Sequence, residues 1–520
     1  MTLEDKAGQM LLAGVSRLTL DEHARRAIVD LRAGGIVLTT RQADPRELQA
    51  FVAQLQALAA GRTVPVPLFI AINHEGGAVT HIQGATAYPS AMAVGAGGSP
   101  GTAYELGRQS ARELAALGIN MNLAPVLDVN SEPANPVIGL RSFGAWPEAV
   151  GRLGAEFVGG TQAGGVIAVA KHFPGHGAVD VDSHHALPVA HGAPDELWAV
   201  ELAPFRQAID AGVEAIMSAH LAVPALTGDA GLPATLSRAV MTDLLRGRLG
   251  FDGLVVTDDL DMKAISGQLG AGEAAVRAVE AGADLVLLIH PSSQQAAFSA
   301  LVQAVRSGRL PESRLDESVQ RILAVKARYG LFQAQSGSLA VLGSPEHQAL
   351  ARQASEAAIT IVEPGHLPLA PQRRTLVISP RGLPAAGDGS GTLFGEEVGR
   401  RSSACEALVY QPSAPADQQR VLAQALAVAG EYDQVVIGLW DAALQRERTG
   451  DDTPFRCVEA LAATGMPVAV VAWQLPYDLA ELPPDVAAVA TYGITPAQVQ
   501  AAAQVLFGEL EARGELPVSV

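Results

Sequence analysis

Residues 171–188, KHFPGHGAVDVDSHHALP, bring Lys171, His172, His176, Asp180, Asp182, His184 and His185 into one loop. So many titratable groups in one place are costly unless they are exposed or used. Asp182 and His184 stand two apart, so in a locally extended chain their side chains leave the same side. The carboxylate can then accept a hydrogen bond from one imidazole nitrogen, fix the tautomer, and leave the other nitrogen to exchange a proton with a substrate. The alternative is a solvated polar loop with incidental contacts. A second feature is GLVVTDDLDM, residues 253–262, where an apolar strand ends on two carboxylates. Strand alternation lets only one of Asp258 and Asp259 face inward. A carboxylate there, opposed to a proton donor across a pocket, is the pairing that retaining glycoside cleavage requires. Asp259 capping a helix that begins beside it is the competing reading.

These residues need elements to hold them. The first 330 residues carry eight short apolar runs, at 9–14, 35–40, 67–75, 120–129, 166–175, 215–224, 253–260 and 284–290. Helix-like segments such as 101–118, 146–163 and 293–308 lie between or after them. Eight strands alternating with helices predict an α/β fold, a (β/α)8 TIM-like barrel. The connection from the third to the fourth strand is long, which predicts an insertion or an irregular barrel. Polar residues crowd the C-terminal ends of the runs: Asn73-His74-Glu75, Asp128, Lys171-His172, His220, Thr257-Asp258-Asp259 and His290. In a parallel barrel those ends share the face on which catalytic groups sit.

A Gly/Ser/Pro stretch at 333–347 reads as a linker, followed by a helix near 347–358. Four further apolar runs, at 375–380, 434–440, 467–473 and 486–493, predict a smaller open α/β sandwich domain. The Gly/Pro/Ser-rich segment 381–395 reads as a mobile surface loop. The expected organisation is a barrel over 1–335, a linker and connecting helix over 336–358, and the second domain over 359–520.

Composition narrows the function. The chain has 520 residues, 36 basic and 54 acidic, for a net charge of −18. An acidic balance argues against nucleic-acid binding. With 48% hydrophobic and 17% charged residues the chain can bury a large core. Cys405 and Cys457 make neither a disulfide framework nor a zinc-thiolate spacing. The start carries Glu4 and Asp5 where a secretory leader needs positive charge, and no apolar run approaches the ~20 residues that span a bilayer. A soluble, cytoplasmic protein is expected. No Walker or Gly-x-Gly-x-x-Gly motif opens a helix after a strand, so no cofactor and no metal is expected.

The order of motifs resembles glycoside hydrolase family three, in the β-N-acetylglucosaminidase branch that carries Lys-His-Phe-Pro-Gly-His-Gly followed by Asp-Ser-His. The matching stretches are LEDKAGQML from residue 3, EGG at 75–77, INMNLAPVLDVN at 119–130, NPVIGLRSFG at 135–144, the whole 171–188 segment, PATLS at 233–237 and GFDGLVVTDDLDMKAI at 250–265. The resemblance implies Asp258 as nucleophile, His184 as general acid/base and Asp182 as the group orienting it. It places Lys171, His172, Arg141, Asn73 and His81 where the family binds sugar hydroxyls, and makes the second domain a support or a pocket wall. The implied partner is a small carbohydrate, with no nucleic acid or membrane involved and a monomer expected. Two departures stand out. The family writes Asp-Gln-Glu-Gly-Gly-Arg where this chain has Asn73-His74-Glu75-Gly76-Gly77-Ala78, and His81 replaces a sugar-binding Arg. Ala178-Val179 also replaces a common Asp-Thr. Competing readings are a phosphorylase using the same Asp258 and His184, a metal-dependent hydrolase built on His172, His220 and Asp258, and a sugar-binding protein of weak activity.

Overall fold

The structure, a computed structural model, describes residues 1–333, 337–383 and 392–520. The centre of the segment read as a mobile loop, 384–391, and residues 334–336 of the linker stretch lie outside the described residues. Eight parallel strands close a barrel in sequence order. They are β1 (Leu11–Val15), β2 (Gly35–Leu38), β3 (Phe69–Ile72), β4 (Met121–Asn122), β5 (Ile167–Phe173), β6 (Ala215–Ser218), β7 (Leu254–Asp259) and β8 (Leu285–Leu288). Most are apolar on both faces because the barrel interior and the surrounding helices both exclude water.

The fourth run falls short of the expected strand. Pro125 has no N–H to give a ladder, and β4 ends at Asn122. Side chains complete this part of the barrel. Asn120 Oδ1 accepts from the Ile70 amide (2.8 Å) and its Nδ2 donates to the Leu68 carbonyl (3.1 Å), while Asn122 makes the equivalent pair with His74 N and O (3.0 and 2.9 Å). Beyond Pro125 the chain still follows β5, with Leu127 N donating to Lys171 O.

At the N-terminal end of the strands, charges are neutralised internally. Asp284, fully buried, pairs with Arg246 (2.5 Å) and Arg321 (3.2 Å), and buried Lys326 donates to Gln9 Oε1 and Gly34 O. That end is built for stability, leaving the C-terminal end for chemistry.

The second domain has six strands where four apolar runs were read. They are β9 (Thr360–Glu363), β10 (Arg374–Pro380), β11 (Ala404–Tyr410), β12 (Gln434–Leu439), β13 (Val468–Ala472) and β14 (Ala487–Ala490), in the order β11-β10-β12-β13-β14-β9 with β9 antiparallel. Alternation sorts the side chains into two layers. Leu376, Ile378, Val435, Ile437, Val468 and Val470 pack with the helices Pro415–Val428 and Thr453–Ala462. Val377, Val436, Ala469 and Val471 pack with Leu393–Gly399 and Pro496–Leu506.

The long β3–β4 connection carries a short extra helix, Ala91–Gly97, whose Met92, Ala93 and Ala96 join the core of the second domain. Ser90 Oγ donates to Tyr492 O (2.5 Å), Asn130 Nδ2 to Tyr477 OH (3.0 Å), and Ala145 N to Pro517 O (2.9 Å). The insertion and the β4–β5 connection together dock the two domains. Among the described residues no helix is long and apolar enough to cross a membrane.

Candidate active site

The strand ends open into a cavity of about 460 Å³. Asn73, His81, Arg141, Lys171, His172, His184 and Asp258 all border it, and Asp182 stands behind His184. Every lining residue lies between 37 and 289. Among the described residues the second domain supplies none of this lining, but its Leu475 sits against Gly139 and its Tyr477 holds Asn130, both in the barrel loop that delivers Arg141.

The floor is a buried charge cluster. Arg141 grips Glu75 with two bonds of 2.8 Å (Nε to Oε2, Nη2 to Oε1), and Lys171 Nζ lies 2.6 Å from Oε1 and donates to Asn73 Oδ1 at 2.7 Å. Burial alone would favour the neutral acid at Glu75, but Arg141 and Lys171 outweigh it and hold the carboxyl far below its ordinary range. Burial, and then Arg141, lower the Lys171 pKa while Glu75 raises it. Pairing fixes the geometry of all three groups. Sequence reasoning singled out Glu75 as a strand-end residue but not as the carboxylate that organises this floor.

Asp128 does similar work on the next side. It is fully buried, accepts His172 Nδ1 at 2.6 Å, and takes the backbone amides of His172 (3.1 Å) and His176 (2.8 Å). One carboxylate therefore sets both the tautomer of His172 and the path of the loop that follows.

Asp182 and His184 meet as expected, by a different local geometry. The chain turns here instead of running extended: Asp182 O accepts from His185 N and Ala186 N, while Asp182 Oδ1 accepts both the His184 amide (2.8 Å) and Nδ1 (2.7 Å). An Asx turn draws the side chains together. A carboxylate can only accept, so Nδ1 carries the proton and Nε2 is left free for exchange. The His184 side chain is 60% exposed and Asp182 24%.

At the end of β7 both carboxylates border the cavity, contrary to the one-face expectation. The β7–β8 register shifts between Val256 and Asp259, which breaks strict alternation. Their environments still separate them. Burial disfavours the charge on Asp258, yet His220, His172, the Asp259 amide (2.8 Å) and Lys171 overcome it and hold its pKa below the usual value. Asp259 is pushed up to about 7, chiefly by burial, and its Oδ1 accepts from Asp261 N (3.1 Å) and Ile289 N (3.3 Å). The next helix starts at Lys263 with Met262 at its cap, so Asp259 does not cap it.

Five strand-end residues singled out by sequence do not border the cavity: Asp128 pairs with His172 behind it, Thr257 Oγ1 accepts from the Leu287 amide (3.0 Å), and the other three are histidines. His74 points into a separate internal pocket, His290 is exposed at the start of the helix Pro291–Arg306, and His220 is engaged on both nitrogens, with Thr235 Oγ1 (2.8 Å) and Asp259 O (3.0 Å). The last of these removes the metal reading based on His172, His220 and Asp258, because neither His220 nitrogen is free to ligate.

Beneath the loop lies Glu201, whose carboxyl abuts Gly175 and whose pKa is pushed up to about 8 by burial, with Asp128 and Glu196 adding to it. A carboxyl with a raised folded pKa stays protonated in the fold, while the unfolded chain ionises above its value of 4.5. Stability from this group is therefore complete below pH 4.5 and is lost as pH rises toward 8. Glu201→Gln, which cannot ionise, should gain about 3–5 kcal/mol relative to the unsubstituted protein between pH 4.5 and 8. Denaturant unfolding of both proteins at several pH values checks this, and a difference independent of pH would mean that Glu201 is ionised in the fold.

The family model described as Glycosyl hydrolase family 3 N terminal domain matches residues 2–325, and that described as Glycosyl hydrolase family 3 C-terminal domain matches 363–520. A Cellulomonas fimi protein named beta-N-acetylglucosaminidase/beta-glucosidase is 33% identical over 94% of this chain and 88% of its own length. Beta-hexosaminidase LpqI of Mycobacterium tuberculosis is 37% identical over 62% of this chain and 82% of its own. The solved structure of a glycoside hydrolase family 3 beta-N-acetylglucosaminidase from Paenibacillus sp. str. FPU-7 aligns with a TM-score of 0.88 at 39% identity, covering 100% of this chain and 99% of that one.

Proposed function

The chain belongs to glycosyl hydrolase family 3 and is a glycoside hydrolase, and from that premise we propose that it is a retaining exo-β-N-acetylglucosaminidase. Its substrate is a terminal N-acetylglucosamine on a cell-wall or chitin-type oligosaccharide. The observation that carries this reading is the single cavity bordered by an ionised Asp258 and by His184 with its Asp182 partner. Asp258 attacks the anomeric carbon as His184 gives its Nε2 proton to the leaving oxygen, so a glycosyl ester forms and the aglycone departs neutral. Water then attacks the same carbon, His184 takes its proton, and the ester bond to Asp258 breaks. Two inversions leave the β configuration unchanged. Lys171, Arg141, His172 and Asn73 bind the hydroxyls from the floor. The names of the relatives support N-acetylglucosamine as the glycone.

Turnover of an aryl β-N-acetylglucosaminide, followed by proton NMR of the first-formed anomer, tests the reading; an α product or no turnover contradicts it. A second reading, phosphorolysis, is favoured by the acid/base being an imidazole, which does not repel phosphate from the glycosyl-enzyme as a carboxylate would. Sugar 1-phosphate formed when phosphate is supplied distinguishes it from hydrolysis.

The departures at Asn73 and His81 give a further test. Asn73 offers Lys171 a neutral acceptor and His81 borders the cavity without a fixed charge, so each forgoes a charge-assisted bond of about 1.5–3 kcal/mol. The paired replacement Asn73→Asp with His81→Arg should raise kcat/KM for the N-acetylglucosaminide about tenfold or more, with kcat rising as well as KM falling. Loss of an activity on some other glycoside would instead mark both residues as fitted to a different sugar.

A further inference from the structure

Among the described residues bordering the cavity, one side chain leaves buried polar atoms without partners: both ring nitrogens of His176. The residue is 4% exposed. The position is held on every side. Its amide donates to Asp128 Oδ1 (2.8 Å), its carbonyl accepts from Asn135 Nδ2 (2.8 Å), and its ring meets the His172 ring edge-on with centroids 6.2 Å apart. Burial lowers the pKa of the imidazole, leaving it neutral, with one N–H to give and one bare nitrogen to receive. Other groups on the same wall are already matched: Glu75 to Arg141 and Lys171, Asn73 to Lys171, and His172 Nδ1 to Asp128. A buried donor and acceptor without partners is a standing cost, and a ligand that pairs with either nitrogen recovers it.

The neighbours of the ring indicate which part of a sugar it meets. His172 flanks it, and Asp258 is close enough to act on its charge. Of the two ring atoms that adjoin the anomeric carbon at Asp258, the ring oxygen and C2, only C2 carries a substituent. We propose that the ring of His176 hydrogen-bonds the group on C2 of the bound sugar and is the residue that favours a 2-acetamido group. This rests on the reading of Asp258 as the residue at the anomeric carbon. An acetamido group presents both N–H and C=O, so either tautomer of the ring finds a match. A sugar with hydrogen at C2 offers it nothing.

His176→Phe keeps a ring of similar size and removes both nitrogens. It is to be assayed with three 4-nitrophenyl β-glycosides that differ only at C2: acetamido, hydroxyl and deoxy. The expected result is a loss of about 10- to 100-fold in kcat/KM on the acetamido substrate, a smaller loss on the hydroxyl, and less than about threefold on the deoxy compound. His176→Gln or His176→Asn should recover part of the loss, and which one does so identifies the nitrogen used. Equal losses on all three substrates, or none on any, overturn the proposal. Calorimetric affinities of N-acetylglucosamine and 2-deoxyglucose for the same proteins give the comparison without turnover, and a cavity that binds neither sugar also overturns it. An unsubstituted protein that uses the hydroxyl but not the acetamido substrate sinks the N-acetylglucosamine reading alone, since hydroxyl against deoxy still decides the role of His176.

Discussion

Asp258→Ala should lower kcat on an aryl glycoside by about 10⁴-fold or more while leaving the folded protein intact. Asp258 sits at the end of β7 among His220, His172 and Lys171, which keep it ionised despite its burial. A carboxylate held charged in a cavity, accepting one hydrogen bond from its neighbour's amide, is suited to attack carbon. Its removal leaves His184 able to protonate the leaving group but no atom to trap the oxocarbenium-like carbon, so the residual rate should approach that of water held in the site. A 2-deoxy-2-fluoro glycoside with a good leaving group should label the unsubstituted protein by one glycosyl unit on a peptide containing Asp258, and should not label Asp258→Ala. Azide fits the space vacated by the carboxylate, and its addition to the variant should restore turnover with an α-glycosyl azide as product. Near-normal activity in Asp258→Ala, or label on Asp259, would remove Asp258 from the role. Asp259 is the natural control, because its carboxyl is pushed up to about 7 and ties the turn to Asp261 and Ile289.

How much of this was legible in the sequence depended on whether a residue's partner lies nearby along the chain. All eight barrel strands announce themselves because both their faces are largely buried and their residues run mostly apolar. The true length of the fourth does not show, since Pro125 cuts its ladder and Asn120 and Asn122 supply side-chain bonds that no hydropathy pattern reveals. In the second domain the four interior strands were visible for the same reason as those of the barrel. The two edges were not: β11 is half-exposed and carries Glu406, and β9 is four residues long and ends on an exposed Glu363. The Asp182–His184 pair was legible because its members are two residues apart, although the turn that joins them was not. Glu75 needs Arg141, 66 residues away, before it becomes the centre of anything. Asp128 likewise gains its meaning from His172, 44 residues on, and His176 stands out only once its surroundings are known to offer its ring nothing.

His184→Ala should separate substrates by their need for a proton. Asp182 fixes Nδ1 as the protonated nitrogen through a 2.7 Å bond and anchors the same residue's amide at 2.8 Å, so Nε2 is the atom that meets the leaving oxygen. A 2,4-dinitrophenolate departs without help, and its release should slow by about tenfold or less in the variant. An alcohol leaves only when protonated, and the loss there should reach about 10²–10³-fold, the usual scale of general acid catalysis. Asp182→Asn keeps the size of the group but presents an amide that can donate, which unsettles the tautomer, and its effect should follow the same leaving-group trend. The two single losses should not add: with His184 already absent, Asp182 has no proton-carrying partner to orient, so the double variant should match His184→Ala within about threefold. Additive losses would mean that Asp182 acts on the substrate directly, and equal losses on good and poor leaving groups would take the proton-transfer role from His184. Because the side chain is 60% exposed, a bulky aglycone that covers the loop should increase the contrast, as removing water strengthens each charge-assisted bond the imidazole makes while it gives up its proton.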